Sequence, residues 1–218
     1  MEPFPESDYP ADPYPGARPE VSFLHRDGHC EPLPDVGWRS MVPELAGRIP
    51  VLAYGSNACP AKIGWLRGHF GLTGPVVVLR ARCHGLAAVW AAGIRARDGQ
   101  RPATLAAEPG RTEWHAVWLA TPDQVRVLDR CEGRGTRYRL VRLRTGTITL
   151  ADGTELPQVL GYTGLSSARA PLLVSGRPVR CADVPQARAA ALTGEPGPDG
   201  LTVEPVHGTP QGCAELDE

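Results

Sequence analysis

Three things are missing or scarce in this 218-residue chain: long hydrophobic runs, an excess of charge of either sign, and lysine. No stretch approaches the roughly 18 uninterrupted apolar residues of a membrane-spanning helix. The opening Met1-Glu2-Pro3-Phe4-Pro5-Glu6 is acidic and proline-rich where a secretory signal needs a basic start and an apolar segment. The expectation is a cytoplasmic protein without a membrane partner. Twenty-three basic residues against 24 acidic ones leave a formal charge of −1, so no field exists to attract nucleic acid. Lys62 is the sole lysine, set among abundant Arg, Ala, Gly and Pro, a pattern of codon bias to which we attach no function. The phosphate-cradling G-x-x-x-x-G-K-[ST] and G-x-G-x-x-G patterns are absent, which argues against nucleotide binding. The flanking glycines of a G-x-S-x-G nucleophile elbow are absent as well.

Cys30, Cys59, Cys83, Cys131, Cys181 and Cys213 fall at long, irregular spacings with no C-x-x-C pair, which suits buried hydrophobes or free thiols better than a disulfide frame. His25-x-x-x-His29-Cys30 offers three metal-ligand types, but no second cluster completes a tetrahedral site, so no metal is expected. Cys59 has no histidine that the sequence singles out as its partner, and a structural thiol is the simpler reading. Trp90, Trp114 and Trp118 alternate within strand-like segments and read as core.

Ten of the 23 prolines lie in residues 1–50. Residues 1–48 are therefore expected to form a Pro-rich arm, partly disordered or wrapping the core as irregular structure. Residues 194–218, rich in Gly, Pro and acid, read as a flexible tail. Between them, 49–193 reads as one folded domain of size sufficient for a single core. Its strand signals are Val51–Tyr54, Pro75–Arg82, Leu86–Ala92, Ala103–Ala107, Trp114–Ala120, Arg137–Arg144, Thr147–Leu150 and Leu156–Thr163. Helix signals follow at Pro60–Arg67, after the capping box Thr121-Pro122-Asp123-Gln124, and at Asp183–Ala191 with Asp183 as cap. The tally is α+β: a small, curved mixed or antiparallel sheet or barrel with a few packed helices.

Two constellations carry chemistry. Tyr54-Gly55-Ser56-Asn57 ends a buried strand just before a helix start, and such a loop presents backbone N–H groups to an anion or a developing oxyanion. A turn built from Gly, Ser and Asn for backbone permissiveness alone would look the same. Downstream, Leu128-Asp129-Arg130-Cys131-Glu132-Gly133 ends a helix, with Gly133 suited to a left-handed cap and Glu132 at the negative end of the helix dipole. That position and partial burial raise a carboxyl pKa, whereas Arg130, Arg134 and Arg137 would lower it, and a solvated helix-end glutamate is the plain alternative.

Taken in order, Tyr54-Gly55-Ser56-Asn57, Leu128-Asp129-x-x-Glu132-Gly133 and Tyr138 resemble the motifs of the γ-glutamylcyclotransferase-like family, which includes AIG2-type proteins and γ-glutamylamine cyclotransferases. The resemblance spans roughly residues 49–165. It implies substrate-binding amides at Gly55, Ser56 and Asn57, pocket tyrosines at Tyr54 and Tyr138, and a catalytic acid/base at Glu132. It further implies release of 5-oxoproline and a free amine from a small γ-glutamyl amine or γ-glutamyl amino acid, without metal or cofactor. A non-catalytic small-molecule or protein-binding module of the same fold is the alternative. Ala58-Cys59-Pro60 departs from the family pattern, the late tyrosine of some members finds only Tyr162, which fits better within a strand, and Asn57 replaces the leucine usual in glutathione-specific relatives. If the implication holds, Glu132 must lie within a few ångström of residues 54–57.

Overall fold

The computed structural model describes residues 2–210. Its strands are β1 (Phe4–Pro5), β2 (Ser22–Arg26), β3 (His29–Leu33), β4 (Ile49–Ala53), β5 (Val76–Trp90), β6 (Ala103–Ala120), β7 (Tyr138–Leu143), β8 (Thr147–Leu150), β9 (Leu160–Gly164), β10 (Leu172–Val174), β11 (Arg177–Pro178), β12 (Glu195–Pro196) and β13 (Val203–Pro205). The helices are α1 (Pro60–Phe70), α2 (Pro122–Glu132) and α3 (Gln186–Ala189). Ten strands form one sheet in the order β1-β3-β2-β5-β6-β4-β9-β7-β13, with β8 paired to β5. All its pairings are antiparallel except β4 beside β9, so the fold is α+β around a mixed sheet. β10, β11 and β12 make a second, three-stranded sheet.

Both faces of the large sheet are buried. On one, Val51, Ala53, Val78, Trp118 and Ala120 meet Ile63 and Leu66 of α1 and Val125 and Leu128 of α2. On the other, the sheet curls so that Leu24, Leu52, Leu79, Leu119, Val141 and Ile148, from six different strands, join one cluster. β4 is therefore buried at every position, and its sequence Ile-Pro-Val-Leu-Ala shows no polar alternation because neither face meets water.

Several elements depart from the expectations above. The four segments Pro75–Arg82, Leu86–Ala92, Ala103–Ala107 and Trp114–Ala120 are two long strands, 15 and 18 residues, paired along most of their length. The break read at Gly85 is a bulge: Gly85 takes φ 77°, the register shifts between His84 and Leu86, and the ladder continues. A Cβ there would come 3.3 Å from Gly146 Cα, so glycine also permits the close approach of the turn before β8. Trp90 and Trp118 are core, but Trp114 is 46% exposed. It lies on the same face as Trp118, four residues back along β6 and beyond the helix-packed cluster, with the Arg80 guanidinium 4.1 Å from its ring.

The expected helix Asp183–Ala191 shrinks to α3, four residues that begin after Pro185. Asp183 does not cap it, because both its carboxylate oxygens accept from Arg180. The arm contributes ordered strands where irregular wrapping was expected. β2 and β3 pair along their length, and Phe23–His25 pair with Val76–Val78 on the open edge of β5. An unpaired sheet edge recruits an extended segment through its backbone, whatever prolines flank it. β12 and β13 fall within the stretch read as a tail, and residues 211–218 of that stretch, with Cys213, lie outside the described residues. The strand expected at Leu156–Thr163 begins at Leu160.

His25 is fully buried, its ring held by Glu6 at 2.8 Å and by the Arg67 guanidinium at 3.2 Å. Cys30, Cys59, Cys83, Cys131 and Cys181 are free thiols. Among the described residues no helix is long and apolar enough to cross a membrane.

Candidate active site

The chain leaves β4 at Ala53, passes Tyr54 and Gly55, makes a single 3-10 turn at Ser56–Ala58, and enters α1 with Pro60 at the first helical position. The parallel neighbour β9 and antiparallel β6 flank β4, so this strand end sits at the middle of the sheet. Tyr54 is buried, and its hydroxyl donates to the Tyr162 carbonyl on β9 at 2.5 Å. Burial raises its pKa far above the ordinary phenol value, so it stays neutral. Within the turn, the Ala58 and Cys59 N–H groups bond back to Gly55 and Ser56. Among the described residues, the N–H groups of Gly55, Ser56 and Asn57 meet no protein carbonyl, and all three residues line a cavity of about 790 Å³.

Glu132 enters the same cavity from the other side. The capping box at Thr121 and Gln124 starts α2, and Gly133, at φ 64°, stops it with its N–H on the carbonyls of Asp129 and Arg130. The carboxylate of Glu132 is thus carried on the last helical residue, and Asn57 Nδ2 donates to its Oε1 at 2.7 Å. Burial raises the Glu132 pKa above the ordinary carboxylate range; the Asn57 hydrogen bond and the charges of Lys62, Arg137 and Arg169 pull it back without cancelling the rise. Arg130, Arg134 and Arg137 were the arginines expected to matter. Arg137 remains near, its guanidinium bound to the Cys131 and Glu132 carbonyls, whereas Arg134 turns away to Asp129 and Arg130 to the Phe70 carbonyl.

Tyr138 opens β7, lines the cavity and donates its hydroxyl to the Ala103 carbonyl at 3.0 Å. All six residues singled out from the sequence, Tyr54, Gly55, Ser56, Asn57, Glu132 and Tyr138, therefore share one cavity. Three further residues, Lys62, Arg169 and Tyr14, were not foreseen there, and Tyr162 is the late pocket-tyrosine candidate set aside above in favour of a strand. Lys62 lines it from α1, its ammonium 3.5 Å from the centre of the Trp65 ring, with its pKa lowered by burial. Arg169 lines it from the 3-10 turn after β9, and its Nε is buried without a hydrogen-bond partner. Tyr162 is part of a strand, as read, yet also faces the cavity, its hydroxyl on Asp129 at 2.8 Å. Tyr14 comes from the Pro-rich arm. Lys62 could have been flagged as the single lysine two residues past Pro60; Arg169 and Tyr14 carry no local signal, because long-range pairing alone brings them here.

The arrangement combines unengaged N–H donors, a carboxyl group with a raised pKa, and cationic side chains around it. Such an arrangement has the chemistry to bind a partly anionic molecule and to move a proton on it.

No protein-family model matches the chain, and no curated protein matches it. Among solved structures, similarity is found to a protein described as gamma-glutamyl cyclotransferase and to an uncharacterized protein from Homo sapiens. Each is 19% identical to this chain over 54% of it and 67% of the other, with a TM-score of 0.44.

Proposed function

We propose that the protein is a γ-glutamylcyclotransferase-type enzyme, converting a γ-glutamyl amine or γ-glutamyl amino acid to 5-oxoproline and a free amine. The observation that carries this is the 2.7 Å contact between Asn57 Nδ2 and Glu132 Oε1, which joins the two sequence constellations in one cavity. A donor loop and a proton-handling carboxylate are the two halves that an intramolecular aminolysis needs.

The reaction balances within the substrate. The α-ammonium gives a proton to Glu132, and the free amine attacks the γ-carbonyl carbon to form the ring C–N bond. The carbonyl oxygen becomes an oxyanion that accepts hydrogen bonds from the Gly55–Asn57 amides. Glu132 then returns its proton to the leaving nitrogen as the original C–N bond breaks and the carbonyl re-forms, and the second proton of the ring nitrogen passes through the same carboxylate to the freed amine, which departs as an ammonium. Because nucleophile and electrophile belong to one molecule, holding a single cyclisation-ready conformer is worth an effective molarity on the order of 10⁵ M. Glu132 contributes roughly 10²–10⁴-fold as acid and base, and each amide donor about 3 kcal/mol. A raised pKa suits a group that must both take and return a proton near neutrality. Tyr54 and Tyr138, neutral and anchored through their hydroxyls to the Tyr162 and Ala103 carbonyls, supply rigid walls.

The test is a panel of γ-glutamyl amines and γ-glutamyl amino acids incubated with the purified chain, with 5-oxoproline as readout and Glu132→Gln as control. Release that vanishes in the folded Glu132→Gln variant is expected. Binding of panel members with no release would replace this mechanism with the non-catalytic module, and full activity in Glu132→Gln would remove Glu132 from the proton transfer.

A further inference from the structure

The cavity, at about 790 Å³, lies toward the large end of small-molecule pockets and has room for more than a γ-glutamyl group. In the cyclotransferase reading that room is left for the leaving amine, and part of the cavity wall comes from the N-terminal arm, which carries none of the motif residues. Tyr14 is 9% exposed and stands in the cavity wall. It is held at every end. Its phenol oxygen accepts the Ala103 N–H at 3.0 Å, its own N–H donates to Gln100 Oε1 at 2.6 Å, and its carbonyl accepts from Gln186 Nε2 at 3.1 Å. The Arg95 guanidinium lies 4.5 Å from the ring centre. Four residues on, Arg18 donates to the Tyr54 carbonyl at 3.1 Å, tying the arm to the loop itself. A ring pinned at so many points is a fixed boundary, not a lid.

Its position relative to the proposed chemistry is specific. A Cβ on Gly55 would come 2.9 Å from the Tyr14 phenol oxygen, so the ring tip stands directly over the loop whose amides face the reacting carbonyl. We infer that Tyr14 is a specificity-determining residue, the fixed wall beside the scissile bond that limits branching at the carbon attached to the leaving nitrogen. This rests on the cyclotransferase reading of the same cavity. Arg95 and Gln100 act through Tyr14 as positioning residues.

The experiment compares a linear and a branched substrate of equal carbon count, γ-glutamyl-n-propylamide and γ-glutamyl-isopropylamide, by kcat/KM and by calorimetric binding. Tyr14→Ala is expected to raise the branched-to-linear ratio about tenfold, the scale of a methylene-sized discrimination. Tyr14→Phe, which keeps the ring and loses only the phenol oxygen, should stay within about twofold of the parent ratio, and inhibition by 5-oxoproline should change in neither. Tyr14→Leu, which keeps an apolar side chain but shortens it, serves where the alanine variant does not fold, with the same shift expected. An unchanged ratio in a folded Tyr14→Ala or Tyr14→Leu variant, with turnover intact, would overturn the wall alone. No 5-oxoproline from either amide, together with a binding ratio that still shifts in the variant, would overturn the cyclotransferase reading and keep the wall.

Discussion

Glu113 on β6 and Glu132 at the end of α2 are both withdrawn from solvent, and the fold treats them in opposite ways. Burial works to raise the pKa of each. At Glu113 it is outweighed: the His115 ring lies 3.2 Å away, the Ala88 N–H donates at 3.1 Å, and Arg180 donates at 3.1 Å, so the pKa falls below the ordinary carboxylate value. At Glu132 a single hydrogen bond from Asn57 and more distant cations do not suffice, and the pKa rises. Glu132 is also the more deeply buried of the two, so its larger desolvation and its fewer direct partners act in the same direction. Glu113 is a carboxylate committed to holding structure. Glu132 is left under-satisfied, the condition for exchanging a proton with a ligand.

The contrast can be broken most severely at Glu132. Glu132→Gln is expected to lower 5-oxoproline release by roughly 10²–10⁴-fold. The same variant should melt no lower than the parent at neutral pH, because it removes a carboxylate whose ionised form the fold disfavours. Equal activity would show that the carboxylate does not move the proton.

Glu113→Ala should have the reverse profile. It leaves the Ala88 N–H unsatisfied and the His115 ring without its nearest charged neighbour, so a loss of about 1–3 kcal/mol is expected in denaturant unfolding, with catalysis per folded molecule unchanged. Its pH dependence follows from the depressed pKa. The stability that Glu113 contributes is present above the unfolded carboxylate pKa and lost as pH falls through its lower folded value. Glu132 has the opposite sign: its raised folded pKa means that stability is full below the unfolded pKa and declines as pH rises through the folded one. Unfolding measured from pH 3 to pH 8 in the parent, Glu113→Gln and Glu132→Gln would separate the two, and identical curves would refute the distinction.

A subtler change bears on Asn57. Its hydrogen bond favours the charged form of Glu132, so Asn57→Ala should push that pKa further up and move the acid limb of the activity profile to higher pH. A drop in rate with an unmoved limb would mean that Asn57 serves substrate binding only. The smallest effect is expected at the surface, where Trp114→Ser removes an exposed ring stacked under Arg80 and should cost about 0.5–1 kcal/mol of stability without touching release.

What was legible in the sequence was local. The capping box at Thr121 and Gln124, the left-handed cap at Gly133 and the strand-loop-helix passage through Tyr54–Asn57 each depend on a few adjacent residues, and each stands in the structure as read. The boundaries at Gly85 and around residues 108–113 differ because a bulge and a long strand pair are settled by partners distant in the chain, whereas at Asp183 the competing partner, Arg180, lies only three residues away.

The same division runs through the site. Residue chemistry marked Glu132 and the Gly55–Asn57 amides as candidates beside plain alternatives, and it was the order and spacing of the two motifs, in their resemblance to a known family, that nominated them together. Only the tertiary structure decided that the Asn57 side chain lies 2.7 Å from Glu132, that Arg137 stays near while Arg130 and Arg134 turn away, and that Tyr14 stands in the cavity wall. Electrostatic surroundings and enclosure are sums over groups that the chain brings together from its whole length, and for that reason no local pattern encodes them.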